Sequence, residues 1–161
     1  MGIKIFTTGG TIDKIYFDQK SKYEVGEPTI DEVLQEANVT VDYRCEKIMR
    51  KDSLDLTEED RQRIYEVIEA DTHQQIVITH GTDTMIQTAQ KLQPLAKEKV
   101  IVLTGSMMPA KFKSSDAMFN IGGALIAVQT LPPGVYIVMN GQIFNPGQAR
   151  KNVELNRFET L

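Results

Sequence analysis

Cys45 is the only cysteine in a chain of 161 residues. No intrachain disulfide can form, and a reducing compartment suits such a chain better than a secreted one. Long hydrophobic runs are also missing. The first apolar stretch, "IKIF" at residues 3–6, is broken by Lys4 and is too short for a signal-peptide core or a bilayer span. A cytoplasmic protein without a membrane partner is the expectation. Basic charge is not in excess either: 18 basic against 22 acidic residues leave a formal net charge of -4, and the basic residues are scattered. The electrostatic footprint of a nucleic-acid binder is therefore absent. The two histidines, His73 and His80, have no histidine or cysteine partner at ligand spacing, so no metal site is expected. His73 reads as a surface residue and His80 as part of a strand-end turn. Cys45, between Arg44 and Glu46, reads as a core or edge residue of a strand and not as a nucleophile.

What is present is ordinary in bulk, with 41% hydrophobic and 25% charged residues, close to the averages of folded domains. One domain over residues 1–161 is expected from that length. Short β-branched runs, "IKIF", "RCEKIM", "QIVITHG", "KVIVLTG" and "GVYIVMNG", read as strands. Helical spacing fills the intervals. Thr29 with Glu32 forms a capping-box pattern before Ile30, Val33, Leu34 and Ala37, and Thr57 stands before Ile64, Val67 and Ile68. Met85, Ala89, Leu92 and Ala96 form a third stripe, and Met118, Ile121, Leu125 and Val128 a fourth. The pair Gly122-Gly123 inside that fourth helix suggests close packing on a sheet. The alternation predicts an α/β fold: a three-layer, mainly parallel sheet with helices on both faces, ending in a β-hairpin. Residues 11–29, polar and without sustained apolar period, read as a lid or a disordered loop.

In an open parallel sheet, ligands bind beyond the carboxyl ends of the strands. "TTGGTIDK" at residues 7–14 and "THGTDT" at residues 79–84 both fall there. Gly10 and Gly81 would let the backbone approach a ligand closely, with neighbouring amides turned toward an anion or a developing oxyanion. The flanking hydroxyls become candidates for chemistry. Either motif alone serves equally well as a plain turn, and Ser53, Thr82 and Tyr23 have ordinary roles open to them as caps, turn residues or a packed aromatic. The first motif lacks both the G-x-G-x-x-G spacing and a Gly-Lys-Ser/Thr ending, which argues against a phosphate loop.

The motifs together say more than each alone. "TTGGTI", "KSKYEVGEPT", "DSLDLT", "ITHGTDTM", "LTGSMMPAKFKSSDAMFNIGGAL" and "VYIVMNGQIF" occur in the order and spacing of the bacterial-type L-asparaginases, the threonine amidohydrolases. Nearly the whole chain resembles the larger N-terminal domain of that family, and "DSLDLT" is similar to its cytoplasmic branch. The resemblance implies that Thr11 is the nucleophile, hydrogen-bonded and activated by Tyr23 on a mobile loop, and that Thr82 is the second threonine of a proton relay. It implies that Asp83 grips the substrate α-ammonium, that Ser53 and the Asp52 backbone hold the α-carboxylate, and that amides near Thr11 and Thr82 form the oxyanion site. No cofactor is implied.

Three departures accompany the likeness. The family's relay is completed by a lysine, and laying "NRFETL" on that region puts Glu159 in its place, with Lys111, Lys151 or another lysine as a substitute in space. Leu54 stands where many members have a polar residue that contacts substrate. The chain stops at Leu161, so the expectation is a short form without the family's smaller C-terminal domain. Three functions follow: hydrolysis of L-asparagine through a Thr11 acyl-enzyme, binding of asparagine or aspartate with little turnover, or hydrolysis of glutamine or another small amide. A homo-oligomer, dimer or tetramer, covering the crevice is expected.

Overall fold

Isoleucine and valine dominate the central strands because a parallel strand covered on both faces is buried on both. In the computed structural model, which describes residues 1–161 with the exception of the Lys20 side chain, the chain runs in order through β1 (Ile3–Gly9), β2 (Lys14–Phe17), β3 (Lys22–Val25), α1 (Ile30–Glu36), β4 (Tyr43–Lys51), α2 (Glu58–Ala70) and β5 (Gln75–Thr79). It continues through α3 (Met85–Lys91), β6 (Val100–Thr104), α4 (Ala117–Thr130), β7 (Gly134–Met139), β8 (Gln142–Phe144), β9 (Ala149–Asn152) and β10 (Arg157–Thr160). The main sheet has six strands in the order β4-β1-β5-β6-β7-β8, all parallel except the edge pair β7-β8. Side-chain alternation divides its core. Ile76, Ile78, Ile101 and Leu103 pack with Ile64, Ile68, Met85 and Ala89 of α2 and α3, while Val77, Val100 and Val102 pack with Leu34, Ile121 and Val128 of α1 and α4. The chain closes on the antiparallel pair β9-β10.

The predicted α/β fold is therefore what the chain adopts, and the differences are local. Thr57 caps α2 in a reciprocal box with Asp60. Thr29 does not cap α1: its hydroxyl donates to the buried Asp13 carboxylate at 2.9 Å instead, because that acceptor has been folded against the helix start. On α4, Ile121, Leu125 and Val128 are buried but Met118 is 57% exposed. Close packing on the sheet holds for Gly123, where an added Cβ would sit 3.2 Å from Val138 Cγ1, and fails for Gly122, which faces open space.

Residues 11–29 are not an irregular lid. Within them β2 and β3 form an antiparallel hairpin in which Tyr16 lies opposite Tyr23, with ring centroids 5.3 Å apart. That cross-strand aromatic pair supplies the stabilisation that the apolar period lacks. His73 is less exposed than expected, since its Nδ1 lies 2.7 Å from Asp71 Oδ1 in a partly buried pair. Cys45 is exposed on the edge strand β4.

Candidate active site

The strand order places one position apart from the others. Sheet connections run outward from β1 to β4 on one side and from β5 to β6 and β7 on the other, so β1 and β5 flank the point where the winding reverses. Crevices form there because the two following segments leave in opposite directions. β1 and β5 pair in register, Thr7 opposite Thr79, which sends residues 8–13 and 80–84 over the same edge of the sheet.

Glycine makes that meeting close. Gly9 and Gly10 have φ of 104° and 92°, in the region L side chains avoid. A Cβ on Gly10 would lie 2.5 Å from Gly81 Cα, and a Cβ on Gly81 would lie 2.5 Å from Ser53 Cβ. Three turns, following β1, β4 and β5, are thus pressed backbone to backbone. Thr11 and Thr82 each follow one of these touching glycines, so the two hydroxyl-bearing residues stand on adjoining turns. Thr11 opens a short 3-10 turn and is partly exposed, while Thr82 is 5% exposed.

The cation beside Thr82 is Lys151, on β9. Its Nζ donates to Thr82 Oγ1 at 2.8 Å and to Asp83 Oδ1 at 2.7 Å. Glu159 is not at this position. On β10 it is bound by Arg150, Arg157 and Asn152, and these partners hold its carboxyl below the usual range. The antiparallel register sets Glu159 opposite Arg150, one residue from Lys151, so the lysine comes from the first strand of the pair and not the second. Sequence reasoning names Lys151 only among several lysines that could substitute in space; a lysine on a short polar strand carries no signal of its own.

Ser53 is 1% exposed and accepts the Asp83 N–H on its Oγ at 3.2 Å. Burial pushes the neighbouring Asp52 carboxyl up, but the Lys14 ammonium and the N–H groups of Leu54 and Ser53 outweigh it and hold it below the usual range. The Asp52 side chain is thus spent on Lys14, 2.9 Å away, and on the turn. Leu54 projects, 73% exposed. Beneath the turn, His80 is fully buried, with Nδ1 2.7 Å from the Gly81 carbonyl and Nε2 2.8 Å from Thr88 Oγ1. Burial lowers its pKa to about 4, so the ring is neutral and structural.

Tyr23 stands on the hairpin, 49% exposed, with its ring 5.5 Å from that of Phe112, and no hydrogen bond among the described residues ties it to Thr11. It lines a crevice of about 470 Å³ with Lys14, Arg50 and Asp52. A larger cavity of about 610 Å³ lies elsewhere, on α4 and β8, where Phe119, Ile126 and Ile143 make it apolar and no lining residue is titratable. Size therefore does not pick out the candidate site; the convergence of the Thr82 hydroxyl, the Asp83 carboxylate and the Lys151 ammonium does.

An α/β domain with two threonine-bearing turns in contact at its topological switch point, one threonine sharing a lysine with the adjacent aspartate, defines a class of hydroxyl-bearing sites. The chain matches the family model "Asparaginase, N-terminal" over residues 2–160, and it belongs to the asparaginase family. It is 33% identical to the probable periplasmic L-asparaginase of Haemophilus influenzae, over 92% of this chain and 46% of that protein. It is 32% identical to the L-asparaginase of Thermococcus kodakarensis, over 100% of this chain and 51% of that one. The solved structure of the thermostable Thermococcus enzyme superposes with a TM-score of 0.86 at 30% identity, covering 100% of this chain and 51% of the other. A probable cytoplasmic L-asparaginase from Campylobacter jejuni superposes at 0.79 with 30% identity, covering 98% and 51%. The chain spans about half the length of these relatives.

Proposed function

We propose that the protein hydrolyses the side-chain amide of L-asparagine to L-aspartate and ammonia through an acyl-enzyme on Thr11. The observation that carries this reading is Lys151 Nζ set between Thr82 Oγ1 and Asp83 Oδ1, on a turn whose Gly81 backbone is packed against Gly10, the residue before Thr11. A cation at that distance favours negative charge developing on the Thr82 oxygen, which makes the pair a route for moving a proton. Thr11 Oγ1 attacks the amide carbon, its proton passes to the leaving nitrogen, and ammonia departs. Water, oriented by Thr82, then cleaves the ester and restores the Thr11 hydroxyl.

The remaining groups orient the substrate. Asp83, 38% exposed at its side chain, offers its free carboxylate edge to the α-ammonium. Ser53 Oγ, already accepting from Asp83, keeps its own hydrogen to donate to the α-carboxylate. Amides of the Gly10–Thr11 and Gly81–Thr82 turns receive the oxyanion. Tyr23 reaches Thr11 when the β2-β3 hairpin settles over the crevice, shedding water as it does so. The enzyme works in the cytoplasm as a homo-oligomer, and sedimentation of the purified protein checks the latter.

The test is direct. Purified protein given asparagine releases ammonia, and Thr11→Ala lowers the rate at least about 1,000-fold, in line with loss of a nucleophile whose partners act as a unit. Equal release by both proteins would remove Thr11 from the chemistry. A parallel assay with glutamine separates asparagine preference from broader amide hydrolysis.

A further inference from the structure

Thr84 immediately precedes α3, where a threonine side chain ordinarily accepts an N–H from the first turn of the helix. Here it makes no such bond. Its hydroxyl instead donates to the Ser53 carbonyl at 2.8 Å, across 31 residues of sequence. The helix forgoes a cap, so the hydroxyl serves something other than helix stability.

The recipient explains the diversion. Ser53 takes the Asp83 N–H on its side chain and the Thr84 O–H on its backbone, while Gly81 presses against its Cβ. Two of these three contacts come from consecutive residues, and the residue gripped is the proposed donor to the substrate carboxylate. Asp83, the proposed acceptor of the ammonium, lies between Gly81 and Thr84. On the reading given above, the two charged ends of an α-amino acid are thus met by groups on separate loops whose spacing depends on how firmly the loops are joined.

We infer that Thr84 is a positioning residue: its hydroxyl locks the turn at residues 52–55 onto the turn at residues 80–84, fixing the distance between the carboxylate-binding and ammonium-binding groups. The Thr84 hydroxyl donates to the Ser53 carbonyl, whereas Lys151 binds Thr82 and Asp83. Loosening the lock therefore weakens binding of the amino-acid backbone and leaves the chemical step nearly intact.

Thr84→Val keeps the shape and removes the hydroxyl, and Thr84→Ser restores it. The expected result is a rise of about tenfold in KM for asparagine and in Kd for aspartate in Thr84→Val, the loss set by one partly buried hydrogen bond. The value of kcat stays within about twofold, and Thr84→Ser returns both constants to near wild type. In the absence of ligand, the Asp83 amide of Thr84→Val exchanges its hydrogen at least about tenfold faster by NMR, because the loops part more often. Unchanged KM and Kd, a fall in kcat as large as the rise in KM, unchanged exchange at Asp83, or failure of Thr84→Ser to rescue would each overturn the inference. Wild-type protein that neither binds aspartate nor releases ammonia would overturn the functional reading. Faster exchange in that case would reduce Thr84 to a structural tie, which also defeats its assignment as a positioning residue.

Discussion

Lys151 is held by two acceptors at once, and the two are not equivalent. Thr82 Oγ1 is buried and keeps its own hydrogen, the one proposed above to move, whereas Asp83 Oδ1 anchors the lysine ammonium and the other carboxylate oxygen is the one proposed for the substrate. Removing the cation strips Thr82 of charge stabilisation and frees Asp83 to move. Lys151→Met is expected to lower kcat by about 10²–10⁴-fold, the usual range for a proton-transfer group, with an unchanged melting temperature. Steady-state ammonia release checks it, and a kcat within twofold of wild type would exclude the lysine from proton movement. Glu159 supplies the control. Its partners, Arg150, Arg157 and Asn152, are side chains of the β9-β10 hairpin, so Glu159→Gln should leave kcat within about twofold, a change in surface pairing only.

At the scale of elements, glycines that look alike in sequence carry opposite consequences. Gly122 sits inside α4 with nothing within 4 Å of an added Cβ, so Gly122→Ala gains helix propensity at no steric cost. Stability should rise by about 1 kcal/mol, a shift of about 2–4 °C in Tm for a chain of this size. Gly10 joins β1 to the crevice at φ 92°, and an added Cβ would lie 2.5 Å from the backbone of Gly81. Strain and overlap both oppose Gly10→Ala, so a loss of roughly 3 kcal/mol and of ammonia release is expected. Thermal melts of the two variants decide between these signs; a neutral Gly10→Ala would mean that β1 and β5 do not meet as closely as described.

For the whole molecule, two buried titratable groups oppose each other across one pH window. Burial raises the Asp13 carboxyl to about 6, against hydrogen bonds from the Thr29 N–H and hydroxyl that pull it down. With its pKa raised on folding, the native state holds the extra proton between about 4 and 6, and stability falls as pH climbs through that interval. His80 is lowered to about 4 by burial, so the unfolded state holds the extra proton between about 4 and 6.5 and stability climbs over nearly the same interval. The two slopes nearly cancel, which leaves the wild type flat there. Asp13→Asn should expose the His80 contribution as a rise of about 1.4 kcal/mol per pH unit between 4.5 and 6. Urea unfolding at several pH values measures it, and a variant as flat as the wild type would refute the pairing.

Periodicity and turn chemistry in the sequence were sufficient for most of the strands, the helices, the parallel sheet and the placing of Thr11, Thr82 and Asp83 at strand ends, because each of these depends on residues close together in the chain. The same local rules mistook Thr29 for a cap and Met118 for a core residue, since a competing acceptor at Asp13 and the rotation of α4 are set by distant segments. The hairpin at residues 14–25 was missed because its stabilisation comes from cross-strand contact between Tyr16 and Tyr23, which has no helical or alternating signature. Lys151 could not be singled out from the other lysines for a related reason: which residue of a β-hairpin faces a site depends on register, and one step along a strand reverses the face. Local chemistry along the chain thus determined the elements and most of the candidate site residues, whereas only tertiary packing decided that Lys151 meets Thr82 and that Thr84 grips Ser53, because contacts across tens of residues are chosen by how loops settle against one another.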